Sequence, residues 1–87
     1  MRENVQEPDA LLTLLIDFFD LPAQTRAEAL RQEAVAQWDS LAMVQLISEL
    51  QSSFGVEFDL DEIEHLRSYE EIRGALERRG IAVEARR

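Results

Sequence analysis

The stretch from Trp38 to Gly55 constrains this chain most. A polar Asp39-Ser40 pair separates a bulky aromatic from an apolar run with helical spacing, Leu41 to Phe54, and Gly55 follows as a natural stop. Asp39 suits the N-cap position, where its carboxylate accepts from the orphan backbone N–H groups of a first turn. The pattern therefore predicts a helix over Ser40 to Phe54, with Ser40 its first residue and the hydroxyl at the positive end of the helix dipole. Helix N-termini favour anions, so a phosphate esterified there would be well placed. From these residues alone, a serine that only supports the cap is the plainer reading.

Setting Leu41 at zero on a helical wheel, Met43, Leu46, Ile47, Leu50 and Phe54 fall within an arc of about 100° on the far side. That arc is the candidate core stripe. Gln45, Ser48, Glu49 and Ser52 form the opposite, solvated face. Leu41 lies in the middle of this polar face and Val44 on its shoulder. A single exposed leucine is ordinary. Beside an exposed serine, Leu41 and Val44 become candidate contacts for a partner.

The flanking segments also read as helices. Asn4-x-x-Glu7 resembles a capping box and Asp9 is a cap by itself; Asp9 is preferred as the start of a first helix that ends at Leu21-Pro22. Its apolar residues, Leu11, Leu12, Leu14, Leu15, Ile16, Phe18 and Phe19, span roughly 200°, the width of a helix packed against two or more others. Ala23 to Gln37 reads as a long loop pinned by Leu30, Val35 and Trp38. Thr25-x-x-Glu28 offers a capping box for a short helix within Ala27 to Glu33. Trp38 is expected to anchor the loop, the alternative being a wall beside whatever is attached to Ser40. Val56-Glu57-Phe58 lacks a second strand to pair with and reads as an extended loop. Asp59-x-x-Glu62 opens a short third helix over Glu62 to Leu66. Ser68-x-x-Glu71 forms a capping box for a last helix that ends at Gly80. Ile81 and Val83 can fold back on the core.

Composition removes several functions. With 87 residues the chain is one domain with a modest core. The net charge of −9 argues against nucleic acid and anionic membranes and favours basic partners. The absence of cysteine fits a reducing, cytoplasmic setting and means that any thiol chemistry must come from an attached group. The Asp59 to Glu64 acids do not have the spacing of a calcium loop, so no metal site is expected. A hydrolytic triad built on Ser40 and the sole histidine, His65, lacks a visible oxyanion hole or oriented base.

The helix order, Asp39-Ser40-Leu41 at a helix start, the run Leu46-Ile47-x-x-Leu50-x-x-x-Phe54-Gly55 before an acidic short segment, and the Ser68 to Leu76 helix together resemble an acyl carrier protein over roughly Asp9 to Arg79. The resemblance implies an all-α fold, a small four-helix bundle with a long first loop and a very short third helix. It implies one carrier domain over residues 1–87, folded over about 9–79 and mobile at 1–8 and 82–87. It also implies that Ser40 carries 4′-phosphopantetheine, delivered from coenzyme A by a magnesium-dependent phosphopantetheinyl transferase, with Asp39 as the cap beside it. The arm's thiol would hold acyl or aminoacyl groups as thioesters, and the carrier itself would catalyse nothing. Its partners would be that transferase, acyl- or aminoacyl-loading enzymes, and a ketosynthase or other acyl-transferring enzyme with basic patches. Leu41, Val44, Glu49 and Glu62 would be the recognition residues of a monomer.

Two departures point away from housekeeping fatty-acid synthesis and towards polyketide or other specialised biosynthesis. The lead-in to Asp39-Ser40-Leu41 is Ala36-Gln37-Trp38 rather than a Leu-Gly-Ala type, and Gln45, Gln51 and Ser52 stand where acids are usual. The Met1 start with a short lead favours a free-standing carrier. The competing expectation is a small acidic helical adaptor that is never modified.

Overall fold

The computed structural model describes residues 9–81 and 83. Among them the chain forms four α-helices and no strand: α1 Ala10–Phe19, α2 Ser40–Phe54, α3 Leu60–Ile63 and α4 Tyr69–Arg78. The architecture is the small all-α bundle expected from the sequence, with a long first connection and a very short α3.

Every helix start is set by a local oxygen that satisfies an orphan N–H. Asp9 accepts from the Leu12 N–H at 2.6 Å, Asp39 from Ala42 at 2.9 Å and Ser68 from Glu71 at 3.1 Å. Asp59 and Glu62 form a reciprocal capping box at 3.0 and 3.2 Å. The box expected at Ser68 closes in one direction only, because the Glu71 carboxylate accepts from Arg67 N–H at 3.0 Å instead. The alternative Asn4 start of α1 lies outside the described residues.

Three boundaries depart from expectation. α1 stops before Leu21-Pro22 because Asp20 takes a left-handed conformation, φ 56°, and its N–H closes on the last turn. A short polar side chain tolerates that conformation. α3 spans Leu60–Ile63 rather than Glu62 to Leu66, since capping by Asp59 makes Leu60 the first helical residue. Within the long connection only a 3-10 turn forms, at Ala27–Ala29; the residue preceding it is Arg26, and no side chain caps it.

The core joins Leu11, Leu15 and Phe19 of α1, Leu46, Ile47 and Leu50 of α2, and Tyr69, Ile72, Ala75 and Leu76 of α4. Leu30, Val35 and Trp38 pin the connection into it, as expected, and Phe58 and Leu66 close it from the α3 side. Backbone bonds from Gln32 N–H to the Arg67 carbonyl and from Tyr69 N–H to the Leu30 carbonyl, both 2.8 Å, tie the connection to the start of α4. Met43 and Phe54 are half-buried at the edges of the α2 stripe. Of the wide apolar arc on α1 only Leu11, Leu15 and Phe19 are buried; Leu12, Leu14, Ile16 and Phe18 remain half-covered.

The ends of the bundle are joined by polar contacts. The Tyr69 hydroxyl donates to Asp9, and Arg73 donates to Tyr69 at 3.2 Å, linking the α1 cap to α4. Burial first, then the Asp9 carboxylate, push the Tyr69 phenol up to about 12. Val83 is buried and its carbonyl accepts from Ala10 N–H at 2.6 Å, so the packed chain runs past Arg79. The remainder of the expected mobile ends, 1–8, 82 and 84–87, lies outside the described residues.

Candidate functional site

The residues leading into α2 hold Ser40 at a defined place on the surface. Trp38, 2% exposed, stacks on Phe19 with ring centroids 5.1 Å apart. Its indole N–H donates to the Met43 sulfur at 3.1 Å, across the first turn of α2. The Gln37 side-chain amide donates to the Phe19 carbonyl at 3.2 Å, at the end of α1. Trp38 is therefore the anchor of the loop. Its ring faces the core, two residues before the serine.

Asp39 follows in an extended conformation and accepts from Ala42 N–H, which starts the helix one residue later. Ser40 is exposed, and its hydroxyl has no hydrogen-bond partner among the described residues. The first N–H groups of an α-helix lack intrahelical acceptors, so positive potential gathers beside this hydroxyl. The other described serines stand elsewhere in the fold. Ser48, Ser52 and Ser53 lie along or at the end of α2, and the Ser68 hydroxyl is engaged as a cap.

The remaining predicted residues divide by environment. Leu41 and Val44, each 69% exposed, project from the first two turns of α2 beside Ser40. Glu49 is exposed, and its position on the wheel puts it on the opposite shoulder of α2 from Val44. Glu62 is half-buried and its carboxylate is held by the Arg79 guanidinium. That hydrogen bond, helped by the Asp59 N–H and outweighing partial burial, lowers Glu62 from the usual 4.5 to about 2. Arg79 also donates to the Glu57 carbonyl at 2.7 Å and lies over the Phe58 ring at 4.9 Å. Glu62 thus clamps α3 to the end of α4, and its charge is matched within the protein.

His65 is exposed, and its Nδ1 lies 2.8 Å from the Asp61 carbonyl oxygen; no hydrogen bond joins it to Ser40. Among the described residues no three His, Cys, Asp or Glu side chains converge to hold a metal ion.

Residues 38–76, a little under half of the chain, match the family model of the phosphopantetheine attachment site. The match starts at Trp38 and ends at Leu76, taking in the anchored turn, α2, α3 and most of α4. Over this segment the chain is similar to phosphopantetheine-binding carriers. Carriers of this family bear a covalently attached 4′-phosphopantetheine and are not themselves catalysts. No curated protein and no solved structure matches the chain significantly. No helix among the described residues is long and apolar enough to cross a membrane.

One exposed residue escaped the sequence reading. Leu60 is 78% exposed, more than Leu41 or Val44. The Gln51 side chain accepts from Phe58 N–H at 3.0 Å, so the chain leaving α2 starts on the Gln51 side of that helix. On the wheel Gln51 shares a shoulder with Val44 and Ser40, so the segment leading to α3 starts from that shoulder. The available signal was the Asp59 cap, which makes Leu60 a first-turn helical residue, outside the Ile63 and Leu66 packing positions.

Proposed function

We infer that Ser40 is the attachment point of the 4′-phosphopantetheine arm and that the protein carries acyl or aminoacyl thioesters between enzymes of polyketide or other specialised biosynthesis. The observation that carries this reading is the exposed, unbonded Ser40 hydroxyl at the head of α2, inside the matched segment and braced from below by Trp38. An arm ending in a thiol supplies the thioester linkage, which this cysteine-free chain cannot provide itself.

The residues divide the work as follows. Ser40 offers its oxygen to the pyrophosphate of coenzyme A: a phosphorus–oxygen bond to Ser40 forms, that to the nucleotide breaks, and the hydroxyl proton passes to the transferase. The head of α2 stabilises the resulting phosphodiester charge by about 0.3–1 kcal/mol. Asp39 keeps the helix start in place, Trp38 keeps the turn seated, and Leu41, Val44 and Leu60 present apolar contacts to the enzymes that dock there. Glu49 adds acidic charge on the other shoulder, whereas the Glu62 charge is largely spent on Arg79. The absence of cysteine is in keeping with a reducing, cytoplasmic setting, and the net charge of −9 with monomeric behaviour and basic partners.

Intact mass after incubation with coenzyme A, magnesium and a broad-specificity phosphopantetheinyl transferase tests the assignment. One arm should be added to the wild type and none to Ser40→Ala, whose circular dichroism should match the wild type. An arm mapped to another residue, or a wild-type chain that stays unmodified, overturns it and leaves an acidic adaptor as the function.

A further inference from the structure

A second surface lies on the other side of α2. Ala10, Thr13, Leu14, Asp17 and Phe18 of α1 face Glu49, Ser53 and Phe54 of α2 across an open groove of about 640 Å³. The α1 members recur at i, i+3, i+4, i+7 and i+8, one continuous helix face. On the α2 wheel Glu49 and Ser53 stand on the shoulder opposite Ser40, Val44 and Gln51. The groove and the Ser40 region are therefore separate surfaces.

Its floor is apolar and incompletely covered: Leu14, Phe18 and Phe54 are all half-buried. This is the unused part of the wide α1 arc, of which the bundle buries only Leu11, Leu15 and Phe19. Its charged lining is wholly acidic. Asp17 and Glu49 are both exposed, and neither carboxylate has an ion pair or hydrogen bond among the described residues. By contrast, Glu62 and Glu77 are both engaged by arginines.

We propose that this groove docks a cationic amphipathic segment of a partner protein, its apolar side chains on Leu14, Phe18 and Phe54 and its arginine or lysine side chains at Asp17 and Glu49. An amphipathic helix laid in a hydrophobic groove is a recurrent mode of peptide recognition. The charge selects the occupant. A second copy of this chain brings another net −9 to an acidic rim, which repulsion opposes, whereas a cationic segment is attracted over the same distance. Docking here leaves Ser40, Leu41, Val44 and Leu60 open, so a partner can hold the carrier while another enzyme works on the opposite side. The inference does not depend on Ser40 being the modified residue.

The test uses the full chain and two short synthetic peptides of equal positive charge, one alternating leucine with arginine at helical spacing, the other with serine in place of leucine. Amide NMR shifts on titration with the first should cluster at Ala10 to Phe18 and Glu49 to Phe54. The serine peptide should bind about tenfold more weakly. Asp17→Asn with Glu49→Gln should weaken the leucine peptide about fivefold, while Asp61→Asn with Glu64→Gln, an equal change in charge, should not. Equal binding of both peptides, shifts centred on the α2–α3 side, or equal weakening by the two double variants overturns the proposal. So does self-association that the Asp17 and Glu49 changes strengthen, which would make a second copy the occupant.

Discussion

Leu41→Ala should leave the domain folded while slowing its reactions with enzymes. A leucine-to-alanine truncation in a core costs roughly 2–5 kcal/mol, from lost transfer energy and the cavity left behind. Leu41 is 69% exposed, so only about a third of that transfer energy is at stake and no closed cavity forms. Alanine is also the better helix former by a few tenths of a kcal/mol. The expected loss is thus about 1 kcal/mol or less. Leu50, fully buried, is the internal comparison, and Leu50→Ala should cost about 2–5 kcal/mol. Urea denaturation followed by circular dichroism measures both. Arm loading by the transferase, followed by intact mass over time, supplies the second readout. A centrally placed apolar contact in an interface is worth about 1–2 kcal/mol, so kcat/KM for loading should fall about tenfold. If Leu41→Ala destabilises as much as Leu50→Ala, the orientation assigned to α2 is wrong. If loading and every later acyl transfer proceed at wild-type rates, Leu41 is not a recognition residue.

Asp39→Ala should cost about 1 kcal/mol by removing the α2 cap, seen as a lower urea midpoint, and Asp39→Asn should recover most of it. The Glu62 carboxyl titrates lower in the folded protein than in the unfolded chain, so its pairing with Arg79 contributes stability above the usual 4.5 that fades as pH falls towards about 2. Urea midpoints measured across that window should therefore fall more steeply for the wild type than for Glu62→Gln; parallel curves would refute the pairing. Eighteen acids against nine arginines should repel one another at low ionic strength, so moderate salt or magnesium should raise the melting temperature, and a flat or falling trend would count against this.

What the sequence determined by itself is the part of the structure governed by neighbours along the chain. A cap oxygen serves an N–H three residues away, and a helical stripe repeats every three or four residues. Asp9, Asp39 and Ser68 could therefore be assigned as caps from spacing alone, and α2 was legible from Ser40 to its stop at Gly55. The anchoring of the long connection by Leu30, Val35 and Trp38 was legible too, because a long connection in a compact domain has to be held down and these are its large apolar residues. The start of α3 was also open to local reasoning: the Asp59 cap implies Leu60 as the first helical residue.

Other features only the tertiary structure decided, because they depend on which distant side chain arrives. The Glu62 carboxylate could serve a partner or an internal cation. Arg79, 17 positions away, reaches it once α4 has packed. The α1 arc promised burial on several sides, but the bundle covers three of its seven large apolar residues fully, and Leu14 and Phe18 are left beside the acids of the α1–α2 groove. Periodicity can say which residues share a face. How much of that face is covered depends on where the other helices lie, and their placement follows from long-range packing, which no local spacing encodes.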